Sequence, residues 1–569
     1  MNKDNEEQIW WRGTSVYQIY PRSYKDTNND GIGDLGGIIS KLDYIKEAGF
    51  ETIWISPFFK SPQRDFGYDV SDYYKPAEEY GTLEEVEKLI KEVHSRKMFI
   101  IFDMVLNHTS DEHPWFKESS SSINNPKKDW YVWKDAKNSE DIKNGKSKKP
   151  IPPNNWKSQV SGSGWHWNEK RQQFYWAAFL PFQPDLNYRN PEVKEAMFSM
   201  LEFWLKKSVD GFRLDIIGSI FEDKQFRDSP FIWKLFPDEN NEGMLFRSKC
   251  RTENLPESFQ FAKDLRKVTD NFSEPPRFMV GETFGSPETI SNFCKNKGLH
   301  SAFAFKCTSV PFTASSFKDL LTEYEHHFPY PLTPVWAFTN HDRTRRMSAL
   351  GENPSKAKLN AFFQLTARGI PFFYFGEEIG MTDTKLSHKN SLDPVSFPFK
   401  TLPEPIFNLI NKKIHGSVNR DCVRTPMQWD KSENAGFCKE NITPWLPINK
   451  NYKKVNTENT VKDTDSIFNC IKRINNYRAK SDILRFGQIK LINDSELPKN
   501  ILGYNRTFNK ESLTILLNFS SSESIVKNEH LKNYSLEAST KCKSNAIEND
   551  KLALSPFEGI IITEKKLSH

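Results

Sequence analysis

The stretch TLEEVEKLIKEVHSRKMFIIFDMVLNH, residues 82–108, carries the repeating unit of the fold in one piece. Residues 82–97 read as a helix. KMFIIFDMV (97–105) is a short apolar run that reads as a strand. The same kind of run recurs on both sides. SVYQIYPRSY (15–24) and TIWISP (52–57) precede it. GFRLDII (211–217) follows the helix-like PEVKEAMFSMLEFWLKKS, and then come RFMVGE (277–282), SAFAF (301–305), PVWAFTNHD (334–342) and IPFFYFGEE (370–378). Strand runs alternating with helical segments imply parallel strands joined by crossover helices. Eight such runs are the number that closes a barrel. The fold class is therefore α/β, a (β/α)8 TIM barrel.

Two stretches break the rhythm. Residues 107–186, between the third and fourth runs, are polar, with SSSS, PIPPNN and SGSG segments, and too long for an ordinary loop. They are expected to form an inserted subdomain, which leaves 1–106 and 187–484 for the catalytic barrel. About 382–460 is a second long stretch, beyond the eighth run. From 485 to 569 the chain turns strand-rich, as in ILGYNRT (501–507) and SLTILLNFS (512–520), and is expected to form a separate C-terminal antiparallel β-sandwich domain. No internal repeat is evident.

Composition narrows the function. Aromatic residues make up 14% of the chain, which suits the apolar faces of sugar rings but equally suits a large core. Net charge is +5, from 79 basic and 74 acidic residues, with no basic patch interleaved with aromatics, so no nucleic-acid partner is expected. The run KNGKSKK (143–149) reads as a solvated loop. Seven scattered cysteines without a CxxC pair argue against a disulfide framework or a zinc site. The N-terminal MNKDNEEQIWWRG is charged and has no apolar run of the signal-peptide kind. No run of about 18 apolar residues exists to cross a membrane. A cytoplasmic location is expected, without a membrane partner or an organic cofactor. Oligomeric state is left open.

In such a barrel, function gathers at the C-terminal ends of the strands. The third run ends Asp103-Met-Val-Leu-Asn107-His108. The fourth carries Arg213-Leu-Asp215, the fifth ends in Glu282, and the seventh in Asn340-His341-Asp342. Carboxylates, two histidines and an arginine thus converge on one rim. Cleaving a glycosidic bond takes one carboxylate and one carboxylic acid flanking it, about 5–5.5 Å apart in the retaining version. Arg213, two residues before Asp215 on a strand, shares its face and is expected to keep Asp215 ionised. Glu282 would hold its proton near neutral pH through neighbouring carboxylates and desolvation. His108 and His341 could donate to sugar hydroxyls. Taken alone, Arg213–Asp215 could be a structural ion pair, and either histidine a core side chain.

The motifs DMVLNH (103–108), GFRLDIIGS (211–219), GETFGS (281–286) and FTNHD (338–342) resemble, in order and spacing, those of the α-amylase superfamily of glycoside hydrolases. The resemblance runs from about Trp10 to the C-terminus. It implies that Asp215 is the nucleophile, Glu282 the acid/base, and Asp342 a transition-state stabiliser. It also implies that Arg213, His108 and His341 line the −1 subsite. QPDLN (183–187) and DFGYDVSDY (65–73) resemble the oligo-1,6-glucosidase/α-glucosidase branch. There Tyr68 would stack on the −1 sugar and Asp65 would reach its 4- and 6-hydroxyls. An arginine in NRDCVRTPMQWD would pair with that aspartate. Arg420 matches best and Arg424 nearly as well. Phe179 would be a hydrophobic wall. A pocket closed at that end accepts only a chain end, which means exo-action.

Residues 26–34, DTNNDGIGD, place oxygen ligands at alternating positions with glycine after the third, like half of an EF-hand loop, although Gly37 stands where the usual twelfth-position glutamate would be. A polar turn is the plain alternative. The family resemblance implies a structural divalent cation, calcium or else magnesium, held by Asp26, Asn28, Asp30 and Asp34 side chains and the Ile32 carbonyl. Ile216, after the expected nucleophile, does not separate α-1,4 from α-1,6 cleavage, and the RLDRD segment associated with sucrose isomerases is absent. The expected function is a retaining exo-acting α-glucosidase that hydrolyses the terminal glucose of short α-glucosides, maltose-type first. Isomaltase (oligo-1,6-glucosidase) or sucrose-cleaving and transglycosylating activity are the alternatives. A non-catalytic, transporter-associated homologue is remote, because all three carboxylates are present and no membrane helix is.

Overall fold

The structure is a computed structural model that describes residues 9–160, 162–237, 242–413, 418–526, 534–544, 546–548 and 551–564. The first eight residues, part of the charged N-terminal stretch, lie outside the described residues.

All eight expected runs form parallel strands of one sheet. They are β1 (Val16–Ile19), β2 (Thr52–Ile55), β3 (Phe99–Val105), β4 (Gly211–Asp215), β5 (Phe278–Glu282), β6 (Ser301–Phe303), β7 (Val335–Trp336) and β8 (Ile370–Tyr374). Their order is β6-β5-β4-β3-β2-β1-β8-β7, so β6 and β7 face each other at a seam. Side chains span it: Ser301 Oγ donates to the Thr333 carbonyl at 2.6 Å. The crossover helix before β3 shows why the local sequence folds this way. Thr82 and Glu85 form a reciprocal capping box at its start, and Val86, Leu89, Ile90 and Val93 share its buried face.

The strands are shorter than the apolar runs that announce them. In PVWAFTNHD only Val335–Trp336 are in the ladder. The polar ends of these runs leave the sheet, and that places Asn340, His341 and Asp342 on the rim.

Side-chain alternation sorts each strand into an inner and an outer face. Ile101, Phe278 and Val280 fill the barrel with Val16, Trp54, Phe303 and Phe372. Ile100, Phe102, Phe212, Leu214 and Met279 pack outward among the helices. Period two then turns Asp103, Arg213, Asp215 and Glu282 inward at the top of the interior.

Between β3 and β4, Trp133–Lys134, Gln173–Trp176 and Trp165–Asn168 form an antiparallel sheet with Gln173–Trp176 in the middle. Its own small core contains Trp156, Trp165, Phe174 and Trp176. Bridges between His108 and Asp185 and between Tyr131 and Leu186 tie its base to the barrel. The C-terminal part is a five-stranded antiparallel sheet, Gln488–Leu491, Ile501–Phe508, Glu511–Asn518, Gly559–Glu564 and Tyr534–Ser539, in that spatial order. A three-stranded sheet of Ser524–Val526, Lys551–Leu554 and Ile547–Glu548 shares an apolar cluster with it, including Leu516, Val526, Leu554 and Ile560. Among the described residues, no helix is long and apolar enough to cross a membrane.

Candidate active site

Arg213 sits at the centre of the rim. Its Nη1 donates to Asp215 at 2.6 Å and to Asp103 at 2.7 Å, and its Nη2 donates to Glu282. The guanidinium is buried, its Cζ 5.2 Å from the centroid of the Trp54 ring. One cation therefore serves three buried carboxyl groups, and Asp103 is a member that the paired-carboxylate reading did not assign. The Trp54 indole N–H and the Tyr68 hydroxyl donate to Asp103 at 3.1 and 3.3 Å.

One positive charge cannot balance three negative ones out of water, so protons must stay on. Burial, with Asp215 and Asp342 nearby, pushes Glu282 up to about 8 even though Arg213 opposes it. Asp215 is raised less, to about 6; burial raises it while Arg213 pulls it down. Desolvation outweighs the cation in setting this value, and Asp215 still ionises below neutral pH. At neutral pH Asp215 still ionises before Glu282.

The chain turns sharply after Asp215. Ile216 is left-handed (φ 41°, ψ 46°), which a β-branched residue rarely adopts. The turn sets Ile216 in the pocket wall beside Asp215.

Asp342 differs from the other two. Burial raises it, but the Arg420 and Arg424 guanidiniums hold it far below the usual carboxylate range. Arg424 Nη2 lies 2.6 Å and Arg420 Nη1 3.2 Å from its Oδ1. His341 is neutral, lowered to about 3 by burial. The Gln18 amide donates to its Nδ1 at 2.8 Å, which leaves the proton on Nε2, 2.6 Å from the Tyr68 hydroxyl. The Tyr68 and His341 rings stack at 5.4 Å. His108 is also neutral, lowered by burial to about 4, and its Nε2 donates to the Tyr68 carbonyl at 3.2 Å. Phe179 lies 5.5 Å from the His108 ring.

Arg420 and Asp65 line the pocket as a pair, with Arg420 Nη2 donating to Asp65 at 2.8 Å. Of the two candidate arginines, Arg420 pairs with Asp65 and Arg424 goes to Asp342. Gln183, from the QPDLN motif, donates to the other Asp65 oxygen at 3.0 Å. Asp393 was not foreseen. It is fully buried and accepts from Arg420 N, Nε and Nη2 at 2.8, 3.0 and 2.8 Å. It comes from the long stretch after β8, and no local pattern marks it. The resulting cavity of about 490 Å³ is lined by Asp65, Tyr68, His108, Phe179, Asp215, Glu282, Asp342 and Arg420 among others.

The DTNNDGIGD loop follows β1, away from this pocket. Each Asp26 oxygen accepts one N–H, from Asn29 and from Gly31, and Asn28 and Asp30 oxygens accept from Asp30 and Ile32 N–H. Asp34 instead accepts four hydrogen bonds, from Thr27 N and Oγ1, Asn28 N and Gly37 N, and caps the helix Leu35–Ser40. Among the described residues, no three His, Cys, Asp or Glu side chains stand close enough to hold a metal. As placed, the loop presents oxygen donors of the right chemistry without a closed ligand set.

A barrel whose rim holds a buried carboxyl pair on one guanidinium, with an ion-paired floor below it, defines a glycoside hydrolase. The chain belongs to the α-amylase family: the family described as alpha amylase, catalytic domain, matches residues 18–487. An oligo-1,6-glucosidase from Parageobacillus thermoglucosidasius is 35% identical over 542 residues, covering 90% of this chain and 91% of that one. An alpha-glucosidase from Apis mellifera is 37% identical over 515 residues, covering 90% and 85%. Among solved structures, an alpha-glucosyl transfer enzyme, XgtA, is similar with a TM-score of 0.86 at 31% identity, covering 98% of this chain and 100% of that chain.

Proposed function

We propose that the protein is a retaining, exo-acting α-glucosidase that releases the non-reducing terminal glucose of short α-glucosides, with maltose-type α-1,4 linkages the first saccharide expected. The observation that carries this is the carboxyl pair. Asp215 and Glu282 share the Arg213 guanidinium and lie within hydrogen-bond reach of each other, too close to leave the ~6.5–9.5 Å gap that an inverting enzyme needs for water. Asp215 attacks the anomeric carbon while Glu282 gives its proton to the departing glycosidic oxygen. Glu282, now a carboxylate, takes a proton from water, which attacks the same carbon and releases Asp215. Asp342, kept ionised by its arginines, would accept hydrogen bonds from the sugar hydroxyls. Tyr68, His108 and Phe179 would wall the ring, with His341 buried behind Tyr68 and holding its hydroxyl. Asp65 would reach its far hydroxyls, with Arg420 closing the end so that only a chain terminus enters.

The test is glucose release from equal concentrations of maltose, isomaltose, sucrose, trehalose and soluble starch, with the anomer followed by NMR. Fast release of α-glucose from a disaccharide, with little from starch, is the expected result. Release of β-glucose would refute retention.

We also propose that the loop after β1 takes a structural divalent cation, calcium before magnesium, through Asp26, Asn28, Asp30, Asp34 and the Ile32 carbonyl. Burial raises the Asp26 carboxyl, and Asp30 and Asp34 add to the rise, so a cation would relieve all three. It would have to draw Asp34 off part of its cap. Calcium or magnesium added after chelation should raise the thermal midpoint by several degrees, and an unchanged midpoint would reject the site. All seven cysteines stand as free thiols, which supports a reducing compartment such as the cytoplasm.

A further inference from the structure

A second cavity, of about 500 Å³, lies beside the catalytic pocket and is divided from it by Thr308 and Ser309, which line both. Its other walls come from Thr344 and Arg346 after β7 and from Asn408 and Asn411 on the helix Glu404–Lys413. Arg346 sets its character. The side chain is 4% exposed, and its Cζ lies 4.9 Å from the centroid of the Phe338 ring. Nε donates to Asn360 Oδ1 at 2.9 Å, whereas Nη2 is buried with no hydrogen-bond partner. The acid that acts on Arg346, Glu377, is pushed up to about 8 by desolvation and so holds its proton at neutral pH. Among the described residues, no acidic side chain lines the cavity. Asn411 Oδ1 accepts from the Val418 N–H at 3.3 Å, which leaves its amide N–H groups as donors beside those of Asn408. Lys356 adds a positive charge over the Phe312 ring in the same wall, with Nζ 5.8 Å from the centroid. A buried guanidinium without a counter-charge is costly, and an anion seated in the cavity relieves that cost. The planar fork of arginine, with amide donors around it, suits the oxygens of a phosphate.

We propose that this cavity binds a phosphate group, free or carried on a small hydroxylated molecule, with Arg346 holding the phosphate and Asn408 and Asn411 donating to its oxygens or to neighbouring hydroxyls. Cavities of this size hold whole small molecules, which favours the ester over the bare ion. The site is separate from the carboxyl pair. It lies on the far side of Thr308 and Ser309, and it does not depend on which glucoside is cleaved.

The test is calorimetric titration of the full chain with inorganic phosphate and, separately, with glycerol 3-phosphate, against sodium chloride at matched ionic strength. A single saturable event is expected with one or both phosphates and none with chloride. Arg346→Gln and Asn408→Asp should each weaken it by about tenfold or more, the order that a lost or opposed hydrogen bond to a charged group supplies. Asn408 is exposed, so its variant tests the site even where Arg346→Gln fails to fold. Tighter binding of glycerol 3-phosphate supports an ester as the occupant, and tighter binding of inorganic phosphate supports the free ion. No saturable binding of either, or an equal response to chloride, overturns the proposal. Phosphate binding that Asn408→Asp and folded Arg346→Gln retain at full strength also overturns it, by placing the phosphate elsewhere.

Discussion

Arg213 binds Asp103, Asp215 and Glu282 at once, so the charge state of the site is set by how few cations three acids share. Asp215 must be ionised and Glu282 protonated for turnover. The kcat/KM profile should therefore fall below about 6, as Asp215 gains a proton, and above about 8, as Glu282 loses its own. A rate that keeps rising past pH 9 would contradict the acid role of Glu282. Asp215→Ala and Glu282→Gln should each lower turnover by about three orders of magnitude or more with circular dichroism unchanged. Asp393→Ala should leave Arg420 with Asp65 and Asp342 alone. The floor loosens, and KM for maltose should rise by about tenfold while kcat falls less. Equal losses in both constants would instead place Asp393 in the chemistry. At this scale the strand-end residues were legible because each sits at a fixed offset from an apolar run. Asp393 and Gln18 were not. Asp393 is carried in by an irregular loop, and Gln18 lies within an apolar run where nothing marks its partner.

At the level of the elements, alternation explains why the chemistry lands where it does. Leu214 packs outward among the helices while its neighbours Arg213 and Asp215 face the interior. The eight runs were readable because each is short, apolar and bounded by polar residues. Their ends were not, since the ladder stops where polar residues turn toward the rim, as Asn340–Asp342 do. Gly211 begins β4 against the Phe278 backbone, and a Cβ there would stand 2.0 Å from the Phe278 carbonyl oxygen. Gly211→Ala should force β4 and β5 apart, lower stability by about 1–3 kcal/mol in denaturant unfolding, and reduce activity through the displaced Asp215. A stable, fully active Gly211→Ala protein would show that this edge yields more easily than its packing implies.

Across the whole molecule, the C-terminal sheet is bound to the barrel by buried polar contacts as well as apolar ones. The Arg506 guanidinium is fully buried and donates to the Thr366, Leu484 and Gly487 carbonyls at 2.6, 2.9 and 2.8 Å. The Tyr504 hydroxyl meets Thr366 Oγ1 at 2.6 Å. Arg506→Met should leave the Thr366 and Gly487 carbonyls without this donor, while Leu484 keeps Arg478 Nη1, and cost about 2 kcal/mol or more, seen as a lowered thermal midpoint with the kcat of surviving folded protein unchanged. That a β-rich part follows the barrel was legible in ILGYNRT and SLTILLNFS. The role of Arg506 as a clamp was not, because its barrel partner Thr366 lies 140 positions away in the chain.

The floor of the pocket joins Asp65 to Arg420 across 355 positions of chain. A ribosome making this protein at ~5–20 residues per second would emit the second half of that pair roughly 20–70 seconds after the first. During that interval Asp215 and Glu282 have already left the tunnel, but the end of the pocket is open. The unfinished chain therefore carries the cutting residues before it carries this pair, and Arg420 is the last of the lining residues to be made.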